Sequence, residues 1–154
     1  MAEQTQGDCE KPYPGEKATA EDLLRLAAAY EAAAIKALDV KVRGRPHTRF
    51  PSHFLAIHAI ELYLNSWLLH SGCEASEVRS LHHCLAERAA RADKGGLKLR
   101  KRTITNLQEI SSRREYVATR YAPDFGRHLP PETRLTATLQ DVARKVRASI
   151  GCVP

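Results

Sequence analysis

The chain has 154 residues, 43% of them hydrophobic and 27% charged, with a formal charge of +6 and a pI near 9.3. That length and composition suit one globular domain whose core needs no disulfide or metal staple. No apolar run reaches the roughly 20 residues that cross a membrane, because His58, Glu61 and Asn65 interrupt residues 54–69. The N-terminus lacks the basic and apolar regions of a secretory signal, so a cytoplasmic location is the expectation.

Residues 1–18 carry four acids and two bases, hold Gly7, Pro12, Pro14 and Gly15, and read as a flexible tail. A single domain is expected over 19–150, with residues 151–154 as a short C-terminal tail. Thr19 can cap a first helix that opens Ala20-Glu21-Asp22, acids that suit the positive end of the helix dipole. Leu23, Leu26, Ala27, Tyr30, Ala34, Ala37 and Leu38 then fall on one face. "KVRGRPHTRFPS" breaks that helix and supplies four bases. Ser52 can cap a second helix over about 53–70, which Gly72 ends.

A third helix is expected from about Ser76 to Asp93, with Val78, Leu81, Leu85, Ala89 and Ala92 inward. "KGGLKLRKR" is a second basic loop. A fourth helix over about 103–120 places Ile104, Leu107, Ile110, Arg114 and Val117 at spacings of three or four. "APDFGRHLPPET" is a Pro-rich linker, and Pro131 or Glu132 opens a fifth helix through Leu135, Leu139, Val142, Val146 and Ile150. With no alternating segment to suggest a strand, the expectation is an all-α bundle in which the apolar second helix is central.

That central helix poses the main question. His58, Glu61 and Asn65 lie three and four residues apart and form one polar stripe on its surface. A buried polar group without a partner is costly, so each needs a hydrogen bond. An arginine from another helix, Arg114 or Arg120, is the expected partner of Glu61. Three roles fit the stripe: a structural network that fixes helix register, a site in which Arg114, Arg120 and Tyr121 meet a phosphate or base, or a His58–Glu61 acid/base pair. Lys98, Arg100, Lys101 and Arg102 are candidates for phosphate contact, against the plainer reading of a solvated charge run. Trp67 reads as a core or dimer-interface residue.

The four cysteines, Cys9, Cys73, Cys84 and Cys152, form no CxxC pair and are expected as reduced thiols. His70, Cys73, His82, His83 and Cys84 crowd a short span, but their spacing matches no common zinc pattern. No metal or other cofactor is assigned, and zinc on His70, Cys73, His82 and Cys84 stays an open alternative.

"FLAIHAIELYLNSWLLHSG" at 54–72, "LHHCL" at 81–85 and "RYAPD" at 120–124 together resemble the HEPN superfamily, the small helical domains of prokaryotes and higher eukaryotes. The resemblance spans about residues 20–150. It implies an up-and-down four-helix bundle with an additional C-terminal helix, a homodimer, and RNA or nucleotide binding. A toxin–antitoxin or defence setting and a nucleotidyltransferase-type partner are also implied. The Arg-x(4–6)-His pattern that marks the ribonuclease branch is absent: Arg113, Arg114 and Arg120 have no His at those distances, and His128 lies one step too far from Arg120. Asn65 stands where related helices often carry Lys, and His83-Cys84 where His-Asp is common.

The expectation is therefore a non-catalytic RNA- or nucleotide-binding domain. Arg114, Arg120, Tyr121, Lys98, Arg100, Lys101 and Arg102 are its candidate contacts, and His58, Glu61, Asn65 and His83 its polar network or site. A protein-interaction or antitoxin-like module and an unconventional ribonuclease are the alternatives.

Overall fold

A computed structural model describes residues 11–151, so Cys9 and Cys152 and most of both expected tails lie outside the described residues. The elements in chain order are α1 (Ala20–Ala37), α2 (Phe50–His70), α3 (Ala75–Ser80), α4 (Leu85–Lys94), α5 (Lys101–Ser112), α6 (Glu115–Tyr121) and α7 (Glu132–Ile150). Three 3-10 turns, Leu38–Val40, Pro46–Arg49 and Pro123–His128, fill the connections. The fold is all-α; among the described residues the only β feature is an isolated Val42–Arg45 bridge.

Thr19 caps α1 as expected: its side chain accepts from the Asp22 N–H at 3.1 Å, while Asp22 returns a bond to the Thr19 N–H at 3.0 Å. Leu24 joins Ala27 and Ala34 inside, whereas Leu26, expected inward, is exposed. The burial stripe is thus rotated toward Ala20, Leu24, Ala27 and Ala34. The side chains of Ser52 and Ser66 on α2 bond the Ala34 and Ala20 carbonyls of α1. Ser52 is therefore an interhelical tie and not a cap. α2 starts earlier, at Phe50, continuing directly from the turn before it.

α2 is buried on almost every side, with Ile57, Ile60, Tyr63, Leu64 and Leu68 inside, and α1, α4, α6 and α7 pack around it. Gly72 follows its end at φ +99°, a left-handed position that glycine takes without a Cβ penalty. Trp67 is a core residue whose ring lies against Gly95, where any Cβ would stand 2.4 Å from the ring.

Two of the five expected helices are broken. The third divides into α3 and α4, with His82 left-handed at φ +48°, and the fourth into α5 and α6, with Arg114 at φ +51°. α3 begins at Ala75 and Ser76 does not cap it; the Glu74 N–H instead bonds the Glu77 carboxylate at 2.9 Å. Val78, Leu81, Leu85, Ala89 and Ala92 are nonetheless all buried as expected. The break at Arg114 resets the helix phase, which leaves Arg114 exposed and turns Glu115 into the core in its place.

Candidate functional site

The polar stripe of α2 is closed mainly by Arg88 of α4, a residue the sequence reading did not single out. Arg88 is 2% exposed. Its Nε donates to Asn65 Oδ1 at 2.7 Å and its Nη2 lies 3.5 Å from Glu61 Oε1. The other N–H groups donate to the carbonyls of His82 at 2.6 Å, Leu81 and Cys84 at 3.3 Å and Val78 at 3.5 Å. Val78, Leu81 and Cys84 also accept backbone N–H groups of the turn, so the His82 carbonyl, the shortest of these contacts, is the one that the break leaves to the guanidinium. One guanidinium thus seals the α3–α4 break and neutralises Glu61, the planar five-donor task that arginine suits.

The expected pairing of Glu61 with Arg114 or Arg120 does not occur. The Arg114 side chain makes no hydrogen bond or ion pair among the described residues. Arg120 lies over the Phe54 ring at 5.7 Å and over the Tyr121 ring at 5.0 Å, and donates to the Tyr121 hydroxyl at 3.0 Å. Glu61 Oε2 instead meets His83 Nδ1 at 3.2 Å, and His83 is half exposed beside Tyr116. His58 packs edge-on against Tyr30 and parallel to Phe54. Burial holds its imidazole below the ordinary value; Glu61 opposes that shift and His83 adds to it.

The break before Glu115 creates a second buried pair that no sequence motif announced. Glu115 is fully buried, and its Oε2 lies 2.7 Å from His53 Nε2, with Arg113 at 3.4 Å from the other oxygen. Arg113 also reaches Glu109 at 3.4 Å, and Glu109 in turn holds Arg134 of α7 at 2.5 Å.

The basic residues divide between two places. Arg100, Lys101 and Arg102 open α5 and, with Arg134, line a groove of about 740 Å³ between α5 and α7. Thr103, Thr105, Asn106, Thr133 and Thr138 supply polar walls, and no acid lines it. Arg134, well separated in sequence from the basic loop, is the member that the sequence did not reveal. Lys98 is exposed just before the groove, its carbonyl held by Lys145.

Asp141 of α7 lies buried at the end of the groove. It accepts from the Arg100 N–H at 3.1 Å and the Thr103 hydroxyl at 2.7 Å, and pairs with Lys145 at 3.2 Å. Burial works to raise its pKa, but these donors outweigh it and hold the carboxyl below its ordinary 3.8. The amide end of α5 is thus already occupied by a carboxylate. A bound anion would meet exposed guanidinium and ammonium groups.

Among the described residues no three His, Cys, Asp or Glu side chains are placed to share a metal ion, so His70, Cys73, His82 and Cys84 do not gather into a ligand set. His82 instead lends its carbonyl to Arg88, and Cys73 and Cys84 are free thiols. Among the described residues no helix is long and apolar enough to cross a membrane. No protein-family model, curated protein or solved structure matches the chain.

Proposed function

We propose that this chain is a HEPN-like domain that binds RNA or a phosphorylated nucleotide in the α5–α7 groove without cleaving it. In this reading the long helices form the up-and-down four-helix bundle with an added C-terminal helix that the sequence resemblance implies. A homodimer and a nucleotidyltransferase-type partner belong to the same proposal. The carrying observation is the groove lining, four cations and no acid around a space large enough for a nucleotide. Two of those cations already lean on flanking acids, Arg134 on Glu109 and Arg100 on Asp141, while Lys101 and Arg102 make no ion pair among the described residues and carry the charge left for a ligand.

The test is fluorescence-anisotropy titration of labelled single-stranded RNA at several salt concentrations, comparing the wild type with an Arg100→Gln/Lys101→Gln/Arg102→Gln variant. Loss of three phosphate contacts should lower the slope of log K against log salt by about 2. An unchanged slope and affinity in that variant would remove the groove from the account. Binding by neither protein, with salt-insensitive capture of a protein, would favour the interaction-module alternative.

A second reading has one observation in its favour. Glu61 orients His83 through Nδ1 and leaves that ring half exposed, an arrangement suited to a general base. RNA cleavage in the same titration, abolished by His83→Gln with binding retained, would establish an unconventional ribonuclease.

A further inference from the structure

We propose that a cleft between α1, α2 and α7 is a binding site for a small neutral molecule with an apolar body and one hydrogen-bond donor. The cleft lies on the other flank of α7 from the basic groove and shares no lining residue with it. Ala34, Ile35, Leu38, Ala56, Leu135 and Leu139 form its apolar walls. Its volume is about 70 Å³. A single water needs about 10–15 Å³ and an engineered cavity of about 150 Å³ takes benzene, so a branched aliphatic group suits the space better than an aromatic ring.

Of the polar side chains that line it, Ser52 bonds the Ala34 carbonyl and Glu31 holds the Tyr63 hydroxyl and Arg147, which leaves His53 as the buried one with a ring nitrogen to spare. The His53 side chain is 3% exposed and lines the cleft. Its Nε2 is committed to Glu115, while Nδ1 has no hydrogen-bond partner among the described residues. No fully buried side-chain nitrogen or oxygen there lacks a partner, so Nδ1 keeps access to open space, and the cleft is the open space that His53 borders. With Nε2–H donating to the Glu115 carboxylate, the neutral ring presents Nδ1 as an acceptor. The ligand must therefore bring an O–H or N–H.

The charged rim argues for neutrality. Arg49 at the mouth donates to Glu132 at 3.1 Å and to the Pro130 carbonyl at 2.5 Å, and Glu132 also takes Lys41 at 2.8 Å. Burial tends to raise the Glu132 pKa, yet the bonds from Lys41 and Arg49 hold it below its ordinary value. Glu31, the other carboxylate of the lining, is held by Arg147, so each charged side chain that lines the cleft already has an ionic partner.

The experiment uses the full chain, 2-propanol as probe and its methyl ether as the donor-free control. The readout is the His53 imidazole nitrogen shift and the methyl shifts of Leu135 and Leu139 in NMR titrations. The alcohol should bind about tenfold more tightly than the ether, the scale of one hydrogen bond, and should move Nδ1 where the ether does not. Ala56→Leu, which fills the cleft, should abolish both responses. Gln140→Trp, which covers the mouth from an exposed position, serves if the first variant does not fold. Absence of a His53 shift up to the solubility limit, equal response to alcohol and ether, or binding that survives whichever variant folds would overturn the proposal. RNA binding by the groove is expected to be unchanged throughout, which separates this site from that reading.

Discussion

Arg88 and the cations of the α5–α7 groove are the same chemistry put to opposite uses. Arg88 is enclosed, and carbonyls from the α3–α4 break, Asn65 and Glu61 use up its donors. Arg100, Lys101 and Arg102 are exposed beside a wide groove, and only Arg100 leans on an acid, Asp141 at 3.5 Å. A guanidinium becomes part of the frame where buried carbonyls and side-chain oxygens converge on it. It stays available to a ligand where the nearby carboxylates are already engaged.

The strongest test of that contrast is Arg88→Ala, which leaves Glu61 with His83 as its partner and takes the side-chain donors from Asn65 and the His82 carbonyl. It should cost about 3–5 kcal/mol in chemical denaturation, the scale for breaking a buried pair. Arg88→Lys should recover only part, since an ammonium cannot span the fork. A loss as small as that of an exposed arginine would erase the distinction.

Asp141→Asn comes next, at about 1–3 kcal/mol for a buried acceptor whose charged bonds are weakened. Because the folded carboxyl titrates below 3.8, its stabilisation is complete above that pH and disappears as pH falls through the folded value. The wild type should therefore show a steeper acid limb than the variant. If the groove binds RNA as proposed, the same substitution should tighten that binding by removing a negative charge beneath Arg100, so stability and affinity move in opposite directions.

His58 should give a smaller effect of the same sign. Its folded value lies below 6.5, so the stabilisation is intact above about pH 6.5 and declines as pH falls toward the folded value. His58→Phe should flatten stability over that window, measured by denaturation at stepped pH. The smallest change belongs to Arg120→Ala, whose exposed contacts with Phe54 and Tyr121 are worth about 0.5–1 kcal/mol. A larger loss would mean that Arg120, and not Arg88 alone, anchors the stripe.

The candidate site was legible in part. The loop "KLRKR" marked three of the four groove cations because charge runs are visible in sequence, whereas Arg134 entered only because α7 runs antiparallel beside α5. His58, Glu61 and Asn65 were recognisable as a stripe needing a partner. Their partner was not, since Arg88 looks like any surface arginine in "LAERAAR" until the break at His82 points carbonyls toward it.

Sequence by itself determined the helical class, the inward residues of α4 and α7, the Thr19 cap and the central place of α2, all of which follow from local periodicity and end chemistry. Only the tertiary structure decided that two expected helices are broken, that Glu115 and not Arg114 turns inward, and that His53 meets a buried carboxylate at the edge of a cleft. The apolar spacing continues through both breaks. A single left-handed residue changes the direction of every side chain after it without changing the pattern that the sequence displays.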